Sequence, residues 1–370
     1  MGIRIGLDGR DLLRKRTGVV NYTLELARRF SRRPDGQVLV YADGFRDPAV
    51  AQPADVELRR LPAPPIVWKH AALPLALLRD RADAFHSPTG TLPLVAPCPR
   101  LVTIHDLFAE VGPEWFPPRM RRRLRLGQRR AARSASAILT VSHTTARDVL
   151  ERYRVPEDRV HVVYNGIDHQ RFFPREVDAA AVARRYGVPH PFVLFVGSLL
   201  PWRNTSRLVQ AMARLRQRRP DASGALPGLL IVGRDIWRTD PTRHLAEEHG
   251  WTDWARFTGY VADDELPTLY AAAAVFAYPS LYDGFGIPPL EAMASGTPVV
   301  ASTAGALPEV LGDAALLVDP TDEDALAEAL QAAFDRPADL RQRGLAQAAR
   351  YSWDRAAEQT WQVYQQVVAG

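Results

Sequence analysis

Short apolar runs rich in β-branched residues alternate with helical segments along the whole chain, in two series. That rhythm admits little besides an α/β fold built on largely parallel sheets. Ile3 to Leu7, Gln37 to Tyr41, Leu101 to Ile104, Ile138 to Val141 and Val160 to Val163 read as strands of the first series. The segments between them, such as Val20 to Arg33 and Thr144 to Tyr153, carry apolar residues at helical spacing. A second series begins at Phe192 to Val196. It continues through Leu229 to Val232, Phe257 to Thr258, Val275 to Tyr278, Val299 to Ala301 and Ala315 to Val318. Two such sets in 370 residues predict two Rossmann-like domains with a ligand in the cleft between them. Turn residues in NGIDHQRFFP and GVPHP put the join between Asp168 and Pro191, so the expected domains are 1–175 and 176–350. A last segment, 351–370, holds a helix from Trp353 to Val368 with Trp361 and Tyr364 on its apolar side.

Composition removes several functional classes. Hydrophobic residues make up 46% of the chain and charged ones 24%, values of a globular protein. No apolar stretch approaches the roughly 20 residues of a membrane span, and MGIRIGLDGR reads directly as a first strand with no signal-peptide core. A cytoplasmic location is expected. The single cysteine, Cys98, excludes an internal disulfide and any cysteine-rich metal site. The net charge of +5 comes almost wholly from arginine, since Lys15 and Lys69 are the only lysines. With no aromatic–basic stripe or zinc-finger spacing beside it, nucleic acid is not an expected partner.

The chemistry concentrates in PSLYDGFGIPPLEAMASGTPVVA, Pro279 to Ala301. Ala274 to Tyr278 precedes it and Val299-Val300 lies near its end, so it reads as strand, loop, helix, strand. Gly284 and Gly286, flanking Phe285, let backbone approach a ligand closely. Ile287 and the following Pro288 and Pro289 suit a first helical turn. Such a loop brings free N–H groups and the positive end of a helix to one place, a way of holding phosphate without metal. Two acids stand eight residues apart, Asp283 in the loop and Glu291 about one turn inside the helix. Glu291 is placed to accept hydrogen bonds from hydroxyls beside the phosphate, and a diphosphate flanked by hydroxylated rings describes a nucleotide-sugar. The structural alternative is a tight strand-to-helix turn with surface acids.

Other positions converge on the same strand ends. FVGSLLPWRNTSRL puts Arg203 and Asn204 just past a strand, at the ligand-binding edge of an open α/β sheet. A guanidinium there bridges phosphate oxygens and stabilises charge on a leaving diphosphate; the alternative is one more solvated arginine. His105-Asp106 closes the strand LVTI, and an adjacent carboxylate is expected to orient the imidazole and favour its charged form. His86, in AFHSP, also ends a strand. Gly18, in RKRTGVV, precedes a helix after the first strand. Trp115 and Phe116 either pave an acceptor site or pin their loop to the core. From Arg119 to Arg133 the chain reads RMRRRLRLGQRRAAR, with eight arginines and no acid. Its stripe of Met120, Leu124, Gly127 and Ala131 is thin, so the helix either lies on an anionic lipid surface as a peripheral membrane contact or packs on its own sheet.

These segments, in this order, resemble the GT4-type retaining glycosyltransferases, group 1, of the GT-B fold. The likeness extends over GLDGRDLLRKRTGVVNYTLELARRF, LVTIHDLFAEVGPEWFPP, ILTVSHTTARDVLERYRVPEDRVHVVYNGID, FVLFVGSLLPWRNTSRLVQAMARL and RFTGYVADDELPTLYAAAAVFAYPS, nearly the whole chain. Two positions depart from the family pattern: Asp283 stands where Glu is usual, and Arg203 where Lys is usual. The resemblance implies two Rossmann-like domains facing each other across a cleft, with the C-terminal helix crossing back to the first. It further implies transfer of a mannose- or glucose-type hexose from a nucleotide-sugar, with retention, to a glycan, lipid-linked or small-molecule acceptor. His105, Arg203 and Asp283 would be catalytic, with His105 and Asp283 at the donor sugar. Gly18, Asn204, Gly284, Phe285, Gly286, Ile287 and Glu291 would bind donor, Glu291 through its ribose. Asp106, Trp115 and Phe116 would lie on the acceptor side. The leaving phosphate itself would take the acceptor's proton, so no cofactor and no metal are expected. A second Arg, usual after the strand glycine, is here Ser198, and Arg234 is the candidate replacement. A nicotinamide dehydrogenase would need GxGxxG after a strand, which neither half supplies. A sugar-nucleotide epimerase and a non-catalytic nucleotide-sugar-binding GT-B protein remain as alternatives.

Overall fold

The computed structural model describes residues 2–14, 17–45, 55–218, 226–235 and 241–370, so Lys15 and Arg16 of RKRTGVV lie outside the described residues. The chain forms two compact units, 1–166 together with 353–370, and 167–352. The division comes earlier than residue 175 because the chain from Ile167 on is already tied to the end of the second unit. The Ile167 N–H donates to the Tyr351 carbonyl (3.4 Å), and the His169 ring meets the same carbonyl at 2.9 Å.

The first unit is built on seven strands: β1 (Ile3–Asp8), β2 (Gly36–Asp43), β3 (Leu58–Leu61), β4 (Ala84–Ser87), β5 (Arg100–Ile104), β6 (Ala137–Thr140) and β7 (Val160–Val162). All pair in parallel in the order β3-β2-β1-β4-β5-β6-β7. Inner strands covered on both faces must be apolar throughout, which is why they read so clearly in the sequence. β3 does not, because an edge strand needs no such cover and LRRL carries two arginines. The helix Gly18–Phe30 starts on Thr17, whose hydroxyl accepts the Val20 N–H (3.3 Å), and stops three residues short of Arg33.

The C-terminal helix, Trp353–Ala369, belongs to this first unit. Trp353, Trp361 and Tyr364 are fully buried against Ile5, Tyr22, Phe30 and Leu139, on the order of 2 kcal/mol apiece. A polar relay threads this core. The Tyr364 hydroxyl meets His86 Nδ1 at 2.6 Å, His86 Nε2 meets Thr103 Oγ1 at 2.7 Å, and Thr103 meets the Tyr22 hydroxyl at 3.0 Å. Burial pushes His86 down to about 3, so its ring is neutral. It is a satisfied core histidine.

The second unit holds β8 (Phe192–Val196), β9 (Gly228–Val232), β10 (Ala255–Gly259), β11 (Val275–Tyr278), β12 (Val299–Ser302) and β13 (Leu316–Val318), parallel in the order β10-β9-β8-β11-β12-β13. The chain runs outward from β8 to one side, then returns to the other side at β11. In such sheets ligands bind beyond the carboxyl ends of the two strands flanking this reversal. No described helix is long and apolar enough to cross a membrane.

Candidate active site

Arg203 and Asp283 stand on the loops that follow β8 and β11, the two strands at the reversal. They form an ion pair, both mostly buried, with 19% and 14% of the side chains exposed. Arg203 Nη1 also donates to the Tyr278 hydroxyl and to Ser280 Oγ (3.2 Å), and its guanidinium lies 5.1 Å from the Tyr278 ring centre. Tyr278 is rigid at this spot because its ring stacks on Phe195 and Phe276, each at 6.0 Å.

Asp283 differs from expectation. One carboxylate oxygen, Oδ1, accepts the N–H groups of Phe285 and Gly286, both at 3.1 Å. The other, Oδ2, accepts the Tyr278 hydroxyl (2.9 Å) and Arg203. A carboxylate has about four acceptor positions, and here four donors fill them. Two loop N–H groups expected to be free for phosphate are therefore held by Asp283. The shorter acid closes a turn over its own loop and fixes the guanidinium.

The surrounding loops are braced for this arrangement. Gly286 has φ +94°, and a Cβ there would lie 2.6 Å from Leu307, so only glycine serves before the helix Ile287–Ala294. Gly305 brings its backbone against Asp283, and the Ala306 N–H donates to the Asp283 carbonyl (2.8 Å). Asn204, left-handed at φ +60°, spends its amide on the carbonyls of Pro279 (3.0 Å) and Pro320 (2.7 Å), and its Oδ1 accepts from Arg207 (2.8 Å). It braces Arg203's loop, and its buried side chain is not available to a donor. Phe285 is likewise core, edge-on to Tyr351 at 5.6 Å, and Gly284 is buried beside it. Ile287 opens the helix, half-buried.

Glu291 has the opposite character. It sits one turn into that helix, half-buried, and Oε2 accepts the hydroxyl of fully buried Tyr270 (2.9 Å). Burial raises its pKa to about 7, against the pull of the Tyr270 hydrogen bond and of Arg171, with Asp263 and Asp168 adding to the rise. Such a carboxylate gains from any hydroxyl that donates to it.

In the first unit, His105 follows β5. Its Nε2 meets the Pro88 carbonyl at 3.0 Å, so that nitrogen carries the proton and Nδ1 is left as an acceptor. The ring stands edge-on to Tyr22 at 4.8 Å. Burial lowers its pKa to about 4 while the Pro88 contact pulls upward, so the imidazole is neutral. Its orienting partner here is a carbonyl; Asp106, expected in that part, caps the Phe108 N–H (3.3 Å). Phe116 is buried and pins its loop, while Trp115 is half-buried and edge-on to Phe108 at 6.3 Å.

Glycosyl transferases group 1 is the family description that fits residues 185–350, and Glycosyltransferase Family 4 fits residues 16–171. The O-antigen chain mannosyltransferase B of Escherichia coli is 33% identical over 374 residues, covering 94% of this chain and 96% of its own length. The chain is a GT4-type glycosyltransferase of group 1. The MMP alpha-(1->4)-mannosyltransferase of Mycolicibacterium hassiacum is 36% identical over 329 residues, 83% of this chain and 76% of that one. Sucrose-phosphate synthase from Thermosynechococcus elongatus superposes with a TM-score of 0.79 over 99% of both chains at 22% identity, a likeness of fold, the GT-B fold.

Several residues of this glycosyltransferase's site escape sequence reasoning. Tyr278, Ser280, Tyr270 and Gly305 give no local signal, since each matters through a partner distant in sequence. Arg234, the candidate second arginine, stacks over the Tyr260 ring at 4.7 Å. Gly18 opens the helix Gly18–Phe30, and a Cβ there would meet nothing within 4 Å. Gly18→Ala is therefore expected to leave the thermal midpoint within the range of an ordinary surface change, about 0.5 kcal/mol. If donor passes over this backbone, the same variant raises the donor KM at least several-fold. An unchanged KM by steady-state kinetics removes Gly18 from the donor site.

Proposed function

We propose that the enzyme moves a mannose- or glucose-type hexose from a nucleotide-sugar to a hydroxyl of a glycan, lipid-linked or small-molecule acceptor, with retention at the anomeric carbon. The observation that carries this reading is the guanidinium of Arg203, fixed by Asp283 and Tyr278 at the strand reversal beside the start of the helix Ile287–Ala294. A preorganised cation there opposes the charge that grows on a leaving diphosphate, and it needs no reorganisation to do so. The bond from the anomeric carbon to the phosphate oxygen breaks as the acceptor oxygen bonds to that carbon from the same face. The acceptor's proton passes to the departing phosphate oxygen, so no pair of carboxylates of the glycosidase kind is required. Glu291 takes the ribose hydroxyls, and Nδ1 of neutral His105 accepts from a sugar hydroxyl. Asp283 is a positioning residue, acting on the donor through Arg203 and its own loop.

Mannose enters this reading through the two relatives named as mannosyltransferases. GDP-mannose and UDP-glucose offered with a panel of mannoside and phosphorylated acceptors test the proposal. Proton NMR of the product reads its anomeric configuration. An α-linked product from an α-linked donor is expected; a β-linked one overturns retention.

A further inference from the structure

The helix Pro118–Ser134 gathers eight arginines and no acid into one element. Elsewhere some arginines meet acids, as Arg214 does Glu323 and Asp324 and Arg33 does Asp35 and Glu358, while others scattered over the surface, such as Arg32, Arg147, Arg159 and Arg341, stand singly. Among the described residues, only Arg125 of this helix makes an ion pair, with Glu110 at 2.7 Å. Arg119, Arg122, Arg123, Arg129 and Arg130 are exposed. Here they stand together in one helix rather than singly.

The apolar stripe read from the sequence turns inward at one end, where Ala131 is buried and Gly127 faces Thr91. Toward the other end Leu124 and Leu126 are 37% and 56% exposed, and more exposed apolar surface comes from neighbouring segments. The helical run Pro65–Val67, a π turn at Trp68–Ala72, and Leu73–Arg79 sink Trp68, Leu73 and Leu77 into the core that also takes Ala131, Ala132 and Ala135. The same run leaves Ile66, Val67, Leu75 and Leu78 from 49% to 77% exposed. Leu94 and Val95, 51% and 67% exposed, stand beside it, because the Leu94 N–H donates to His70 Nδ1 at 3.2 Å. Arg100 clamps that loop to the end of the basic helix, donating to the carbonyls of Pro93 and Leu94 (both 3.0 Å) and of Ser134 (2.9 Å). Burial, then Arg10, Asp8 in opposition, and Arg130 bring Lys69 down to about 8, which places Arg130's charge near the same run.

Six large apolar side chains left in water next to a row of unpaired cations is an arrangement that neither a solvated face nor a polyanion site requires. It satisfies a bilayer, whose headgroups take the arginines while the interface takes the apolar side chains. We infer that this face of the first unit docks on an anionic lipid surface, the arginines of 118–134 meeting headgroups while Ile66, Leu75, Leu78 and Val95 enter the interface. The inference rests on this surface alone and stands or falls apart from the donor chemistry.

Co-sedimentation of the full chain with vesicles of phosphatidylglycerol or of phosphatidylcholine, at low and moderate salt, tests it. Binding to the anionic vesicles is expected, weaker at moderate salt. Each cation at such a surface contributes roughly fivefold, so Arg122→Gln, Arg129→Gln and Arg130→Gln together should weaken partitioning about a hundredfold. Leu75→Ser with Leu78→Ser should weaken it at least tenfold, circular dichroism showing the fold intact. Absence of binding to phosphatidylglycerol at low salt overturns the inference. So does binding that the leucine pair leaves unchanged, which would mark a general polyanion site that RNA fills as well.

Discussion

Arg203→Ala is expected to lower kcat by a factor of about a hundred to a thousand while donor KM changes by far less. That is the scale of removing one preorganised donor from developing negative charge. The split follows from when the charge appears: the diphosphate gains it as the glycosidic bond breaks, so the loss falls on the transition state. The sharper expectation concerns Asp283. Its four acceptor positions are filled by Phe285, Gly286, Tyr278 and Arg203, so its route to the donor runs through the guanidinium and the loop. Asp283→Ala should therefore cost much of what Arg203→Ala costs, and the double variant little more than the worse single one. Residues that act as one unit behave in this non-additive way. Losses that multiply in the double variant would mean that Asp283 contacts the sugar independently. A second arm uses the paired departure from the family pattern. Arg203→Lys with Asp283→Glu shortens one partner and lengthens the other, so the pair is expected to recover activity that Arg203→Lys alone loses.

That coupling shows where the sequence stops being sufficient. Inner strands are legible because burial on both faces forces continuous apolar runs, and the two series from Ile3 and from Phe192 already separate two sheets. The helix start at Ile287 is legible because glycine and proline leave few other conformations for that stretch. The ion pair is not. Arg203 and Asp283 are 80 residues apart, and only the reversal between β8 and β11 makes them neighbours. His105 fails in the same way: Asp106 follows it in sequence, yet the nitrogen is oriented by Pro88, on the loop after β4. The basic helix is visible as a charge run, but most of its apolar companions lie upstream, at 66–78 and 94–95, on segments with no motif. Neighbours in sequence are weak guides to a side chain's partners once a strand end turns it into the sheet's edge.

Glu291→Gln should weaken nucleotide diphosphate binding by about 1–3 kcal/mol at pH 8, the scale of a hydrogen bond to a charged group. The variant should also flatten the pH dependence that Glu291 contributes. In the folded protein this carboxyl titrates at about 7, in an unfolded chain near its ordinary 4.5. Between those values the folded state holds the extra proton, so stability falls as pH rises through this window and levels off above it. A displacement of that size is worth up to about 3 kcal/mol. Gln carries no charge to bury. The variant should therefore match the parent near pH 4.5 and below, and exceed it in unfolding free energy at pH 8. Nucleotide binding moves in the other direction for the parent, gaining as the carboxylate ionises and accepts from the ribose. The diphosphate titrates in a similar range, but its contribution is common to both proteins, so the difference between them isolates Glu291. A parent and variant that share one affinity profile by calorimetry across pH 5.5 to 8.5 would remove Glu291 from the ribose. A stability gap that stays constant over the same range would show that its carboxyl is not held in the neutral form by burial.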